Sequence, residues 1–153
     1  EQRIRLALEI VRAVEAEWPD HLPLLARLSC TDWVEGGWTP DESVELARRL
    51  AVEGVDLVDC SSGGIVPDAR IDAVPGYQVP FARRIRTEAG VPTAAVGLIS
   101  SPVQADTVVR DGDADLVMLA RAMLRDPYWA LHAAAELGHP ERRRIPVQYL
   151  RAY

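Results

Sequence analysis

The sequence predicts an α/β fold in which helices cover a parallel sheet. Segments with helical periodicity alternate with short apolar segments along the whole chain, as expected when each strand is followed by a helix. The apolar segments lack polar alternation, which is typical of parallel strands buried on both faces. With 153 residues the chain is long enough for one domain with a real core, so we predict a single domain over 1–153.

Start and stop signals mark the helices in order. The N-terminal helix has apolar residues on one face and is stopped by Pro19. Thr39-Pro40-Asp41-Glu42 is a capping box that opens a helix running to Glu53, and Ser101-Pro102-Val103-Gln104 repeats this signature. Further helices are predicted at 81–89, directly after Ala120-Arg121, and from Asp126-Pro127 to Gly138.

The predicted strands are 22–29, 55–61, 93–97 and 114–120. Each precedes a helix, which implies parallel pairing through right-handed crossovers. An open doubly wound sheet and part of a (β/α)₈ barrel both satisfy this order. No G-x-G-x-x-G follows a strand, which disfavours the dinucleotide type of open sheet. A whole TIM barrel needs roughly 250 residues, so the sequence predicts half a barrel.

Composition excludes several functions. A net charge of −6 argues against nucleic-acid binding. The chain has neither an apolar run that could span a membrane nor a secretory signal. Cys30 and Cys60 lack metal-ligand spacing and fit reduced thiols. We therefore expect a cytoplasmic protein without a metal site and without nucleic-acid or membrane partners.

An anion site is predicted where the fourth strand ends. Arg121 follows that strand directly, and its guanidinium can grip two phosphate oxygens. The small residues Gly97 and Ala120 let backbone N–H groups approach a phosphate closely, and the last two strands of a barrel often form such a site. The alternatives are that Gly97 is a simple turn glycine and that Arg121 is an exposed charge at a helix start. A cation is mildly unfavourable at that end of a helix, which favours an anionic partner.

Arg27 lies inside an otherwise apolar strand, where a guanidinium is costly unless it is paired. It either points into the barrel mouth toward an anionic or electron-rich ligand, or it forms a structural ion pair with Asp59 or Asp32.

Three aromatic residues also have two interpretations each. Tyr77 in the long loop 62–80 is either a pocket wall or loop packing, and the same holds for Trp33 and Trp38.

Six segments, in order and in register, resemble the C-terminal half of the Old Yellow Enzyme family of FMN-dependent ene-reductases. The likeness is greatest to its bacterial, thermophilic-like class of NADPH dehydrogenases, and it covers essentially the whole chain. The matching segments are ARLSCTDW, GVDLVDCSSGGIVP, VPGYQVPFARRIR, AVGLI, ADLVMLARAMLRDP and PVQYLRAY.

The resemblance implies a (β/α)₈ barrel with FMN at its C-terminal mouth, in which this chain supplies strands five to eight. Arg27 would lie against the flavin N1 and C2 carbonyl edge. Arg121 and the backbone of Ala120 would grip the FMN phosphate, with Gly97 beside them. The family usually has glycine where this chain has Ala120, a change that a backbone N–H contact survives. Arg151 matches a C-terminal arginine that reaches into a neighbouring subunit's active site, which implies a homo-oligomer.

The function implied by the resemblance is reduction of activated C=C bonds in enone-like substrates, with NADPH or NADH as the reductant and FMN as the cofactor. The first half of the family pattern, including the proton donor, has no counterpart here. We therefore expect an incomplete fragment that is inactive alone. Two alternatives remain: a non-catalytic half-barrel that binds FMN or phosphate weakly or self-associates, and an unrelated barrel enzyme with another phosphate ligand.

Overall fold

A four-stranded parallel sheet forms the centre of the fold. The structure, a computed structural model, describes residues 2–139, 141 and 145–152. The strands pair in sequential order: β1 (Leu25–Ser29), β2 (Leu57–Ser61), β3 (Thr93–Ala95) and β4 (Leu116–Val117). In the register, Arg27 lies opposite Asp59, which in turn lies opposite Ala94. Because all strands run in one direction, their carboxyl ends meet at the same edge of the sheet.

Two helices begin where their caps predict, at Pro40 and at Pro102. Thr39 and Glu42 form the reciprocal capping box, and the Ser101 side chain accepts from the N–H of Gln104. None of the described helices combines the length and apolarity needed to cross a membrane. The helices are α1 (Gln2–Glu15), α2 (Pro40–Val52), α3 (Val79–Ala89), α4 (Pro102–Arg110), α5 (Arg121–Arg125) and α6 (Trp129–Glu136), followed by a short 3₁₀ helix, Val147–Ala152.

The strand order favours a barrel over the open sheet, the two architectures that satisfy the order of elements in the sequence. A doubly wound sheet reverses its order at a switch point, whereas this sheet runs from β1 to β4 without reversal. Sequential crossovers of one hand carry all helices to one side of the sheet. The core includes Leu50 of α2, Val58 of β2 and Ile85 of α3. The parallel α/β sheet is confirmed, and its identity as strands five to eight of a barrel stays a prediction.

The outer strands depart from the expected burial. β2 and β3 are almost fully buried, but Leu25 of β1 and Leu116 of β4 are 45% and 48% exposed. Each outer strand has only one neighbour within the described residues. The prediction that every strand is covered on both faces is therefore wrong for β1 and β4. All four strands are shorter than predicted, because regular pairing covers only part of each apolar segment.

Helix bounds also differ from the prediction in two places. The third helix begins at Val79 rather than at residue 81, because Pro80 occupies the first turn, where a missing N–H costs nothing. After β4 the two predicted helices are present, but the second, α6, begins at Trp129 rather than at Asp126-Pro127: α5 ends before Asp126, whose Oδ1 accepts from the Tyr128 N–H at 3.0 Å. This turn separates Arg121 from α6.

Candidate functional site

A cavity of about 430 Å³ opens at the carboxyl ends of β3 and β4. Its walls come from the segment before α3, the loop after β3 and the turn from β4 into α5. Gly97, Ala120 and Arg121, three of the four residues predicted to bind a cofactor, all line it. Tyr77 lies in the same wall, as one of its two interpretations requires. The fold thus brings together residues from separate loops, and their role as cofactor ligands stays a prediction.

Positive charge at this cavity is not neutralised by the described residues. Arg121 and Arg125 both line it, and neither has a carboxylate partner in the part of the chain that the structure describes. By contrast, Arg83, Arg84 and Arg86 of α3 each pair with an acidic side chain. In a chain of net charge −6, two unpaired guanidinium groups at one cavity favour an anionic ligand.

Gly97 could not be replaced by a residue with a side chain without displacing its neighbours. Its φ is +127°, which side chains rarely tolerate. A Cβ there would lie 2.9 Å from Nε2 of Gln78 and 3.1 Å from Cε1 of Tyr77. Leu98 follows with a φ of +53°, an unfavourable backbone conformation for leucine. The loop after β3 is therefore held in one specific conformation against the segment that precedes α3.

Backbone donors accompany the two arginines. The N–H groups of Gly97, Leu98, Ala120 and Arg121 have no hydrogen-bond partner within the described residues. Unpaired N–H groups require water or a ligand as acceptor. Close N–H groups beside a guanidinium are a combination that binds phosphate oxygens.

Arg27 does not line this cavity. Its Nε donates to Oδ2 of Asp59 at 2.6 Å, so the predicted ion pair is present, whereas Asp32 instead accepts from the Trp38 N–H at 2.7 Å. Only Nε is engaged: the two terminal nitrogens of Arg27 have no partner among the described residues, and its side chain is 59% exposed. Asp59 is buried, and its Oδ1 has no partner in the described part of the chain. The ion pair therefore leaves the outer end of the guanidinium free for a ligand.

The remaining predicted residues lie elsewhere. Arg151 is exposed in the 3₁₀ helix and is not part of the cavity wall, so its action in a neighbouring subunit stays a prediction. Trp38 donates from Nε1 to Oγ of Ser43 at 2.6 Å, and Trp33 packs edge-to-face on Phe81 with ring centroids 5.7 Å apart. Both tryptophans support the loop after β1 rather than the cavity.

Two cavity residues were missed by the sequence interpretation. Arg125 lies four positions after Arg121, a spacing that places both on one face of a helix. Gln78 is only 4% exposed, although glutamine is rarely buried. The available signal for Arg125 was its spacing. For Gln78 the sequence offered only its position in the unusual segment PGYQVPF.

Cys30 and Cys60 are buried and free, as predicted for reduced thiols. The interaction with Cys30 and, second, burial raise the pKa of the Cys60 thiol above its ordinary range. An exposed thiol ionises near pH ~8.5, so above that pH the folded state binds more protons than the unfolded state. We expect the free energy of unfolding to be fully maintained below this pH and to fall as the pH rises beyond it.

Urea unfolding between about pH 7 and about pH 9.5 measures this effect, because this range brackets the exposed thiol's pKa of ~8.5. In Cys60→Ala the alkaline loss should shrink, because the shifted group is gone. An equal loss in this variant would show that other groups cause it.

Similarity to known proteins covers almost the whole chain. The model of the family described as "NADH:flavin oxidoreductase / NADH oxidase family" matches residues 1–139. The NADPH dehydrogenase of Geobacillus thermodenitrificans is 50% identical over 153 residues, which is all of this chain and 44% of that protein. The NADPH dehydrogenase of Halalkalibacterium halodurans is 44% identical, with the same coverage of both chains. The chain thus spans less than half the length of these curated relatives.

Solved structures resemble the fold at low sequence identity. A soluble mutant of the membrane-associated (S)-mandelate dehydrogenase from Pseudomonas putida has a TM-score of 0.52 at 22% identity, covering 88% of this chain and 32% of that one. The muconate lactonizing enzyme from Pseudomonas putida has a TM-score of 0.50 at 19% identity, covering 85% of this chain and 33% of that one. These neighbours are TIM-barrel enzymes, and at such identities they show the fold alone.

Proposed function

The chain belongs to the NADH:flavin oxidoreductase / NADH oxidase family, and from this membership we propose that the whole protein is an NAD(P)H oxidoreductase that uses FMN. The observation that carries the proposal is the convergence of Gly97, Ala120 and Arg121 on one cavity at the carboxyl ends of the strands. Ligands of parallel α/β folds bind at this end of the sheet. The cavity volume of about 430 Å³ lies within the range of small-molecule sites.

The residues present fit the phosphate of FMN. The guanidinium of Arg121 is unpaired among the described residues and can form a charge-assisted fork with two phosphate oxygens. The N–H groups of Gly97 and Ala120 are unpaired in the same part of the chain and add neutral donors. A methyl group at Ala120 leaves its N–H in place. The absence of a side chain at Gly97 leaves its N–H accessible.

Arg27 fits the flavin ring of FMN. Asp59 holds Nε of Arg27, while the outer nitrogens remain free to place positive charge beside the flavin ring. Bound FMN would supply hydride transfer from NADPH or NADH to the activated C=C bond of an enone-like substrate. In this proposal Arg27 orients the ring and stabilises negative charge on it, and Arg121 anchors the phosphate. Arg151 would complete the active site of a neighbouring subunit in a cytoplasmic homo-oligomer.

Two measurements on the purified whole protein test the proposal. We expect a flavin absorbance spectrum whose cofactor is identified as FMN after denaturation, and NADPH oxidation that depends on 2-cyclohexenone in the absence of oxygen. Protein that neither contains nor binds FMN would contradict the proposal. Protein that binds FMN but leaves NADPH unchanged would favour the non-catalytic alternative.

A further inference from the structure

Gln78 is a buried polar residue just before α3. Capping of α3 does not account for the burial of its side chain. Its side chain makes no capping hydrogen bond to α3. Instead, its Oε1 accepts from Oγ of Ser62 at 2.8 Å, and its Nε2 donates to the carbonyl oxygen of Val96 at 2.9 Å. Ser62 directly follows β2, and Val96 directly follows β3. The amide therefore crosslinks the carboxyl ends of two neighbouring strands beside the cavity.

Two hydrogen bonds, the first of them from this crosslink, determine how the peptide groups on either side of Gly97 are oriented. In a trans peptide, the carbonyl of one residue and the N–H of the next point in opposite directions. Because Nε2 of Gln78 holds the carbonyl of Val96, the N–H of Gly97 points away from Gln78. The carbonyl of Gly97 accepts from the Gly76 N–H at 2.8 Å, so the N–H of Leu98 points away from Gly76. These are two of the N–H groups without a partner among the described residues.

We propose that Gln78 is a positioning residue for the phosphate of FMN, an inference that rests on the proposed function. It acts through the carbonyl of Val96 and presents the N–H of Gly97 to the anion, beside the N–H of Leu98, which the hydrogen bond from Gly76 orients. Its amide also packs where a Cβ of Gly97 would lie, at 2.9 Å, which fixes the position of this loop. The effect is specific for the phosphate, because the oriented donors line the same cavity as Arg121.

A purely structural role makes a different prediction. FMN and riboflavin share the ring system and differ in the phosphate. If Gln78 only stabilises the fold, its loss weakens the binding of both flavins by the same factor. If it orients phosphate donors, its loss weakens FMN binding and leaves riboflavin binding almost unchanged.

Gln78→Met tests this in the apoprotein of the whole protein, titrated separately with FMN and riboflavin and followed by flavin fluorescence. Methionine keeps the length of the side chain but makes neither hydrogen bond. We expect the Kd for FMN to rise about tenfold, as for the loss of one well-oriented hydrogen bond to a charged group, and that for riboflavin to change less than about twofold. Ser62→Ala removes only the hydrogen bond from Ser62 to Oε1 of Gln78. We expect a smaller rise in the Kd for FMN and again almost no change in that for riboflavin.

Thr93→Val is the matched control, since it removes a buried β3 hydroxyl that has no partner among the described residues, and neither Kd should change. Equal weakening of both flavins in Gln78→Met, or unchanged FMN binding, overturns the inference while the proposed function stands. If Gln78→Met does not fold, the same criteria apply to Ser62→Ala. If the unaltered protein binds riboflavin as tightly as FMN, the proposed phosphate site and this inference both fail.

Discussion

Arg121→Ala is expected to raise the Kd for FMN about 30-fold while leaving that for riboflavin within about twofold, since a hydrogen-bonded charge pair is typically worth about 2 kcal/mol. The guanidinium lines the cavity, and the described part of the chain offers it no carboxylate. Its removal therefore breaks no internal ion pair, so the stability of the apoprotein should be almost unaffected. Titration of the apoprotein with both flavins measures the difference.

Two further variants make this test specific. Arg121→Lys keeps the charge but loses the planar fork, so the Kd for FMN should fall between those of the unaltered protein and Arg121→Ala. Arg110→Ala removes the same charge from an exposed position on α4, where Arg110 pairs with Asp106, and should leave both Kd values unchanged. A similar loss of FMN affinity in Arg110→Ala would mean that net charge, and not Arg121 itself, controls binding.

Local signals predicted most of the fold. The capping signatures at Thr39 and Ser101 predicted the starts of α2 and α4, because each cap side chain accepts from an N–H of its own first turn. The four strands were recognisable as short apolar segments without polar alternation, which are typical of buried parallel strands. The exact ends of the strands were not predictable in this way. Regular pairing depends on the neighbouring strands, and the apolar pattern of one strand carries no information about them.

Only part of the candidate site was predictable, again because local signals do not report contacts between distant segments. Arg121 could be found because a cation directly after a strand and before a helix is unusual. Gly97 could be found because a glycine at a strand end suggests close backbone approach. Gln78 could not, since its role arises from hydrogen bonds to Ser62 and Val96, which lie 16 and 18 positions away in the sequence. Such contacts exist only once the strands are paired.

Arg27→Met should destabilise the apoprotein by about 2 kcal/mol, because it leaves the buried carboxylate of Asp59 without its only partner in the described structure. The exposed position of Arg27 keeps this value at the lower end for a broken buried ion pair, since water can reach part of the vacated space. The reverse change is not equivalent. Asp59→Asn removes the buried charge, while Arg27 can be hydrated, so its cost should be below about 1 kcal/mol. Urea unfolding of the two apoproteins measures both.

The double variant Arg27→Met with Asp59→Asn separates the ion pair from the proposed flavin contact. Without the buried charge, most of the stability lost in Arg27→Met should return; equal losses in the single and double variants would contradict this explanation. Flavin binding should not return, because the free nitrogens of Arg27 are still absent. Since Arg27 is proposed to contact the ring, FMN and riboflavin should both bind more weakly and by similar factors, in contrast to Arg121→Ala. Recovery of flavin affinity together with stability would instead reduce Arg27 to a structural partner of Asp59.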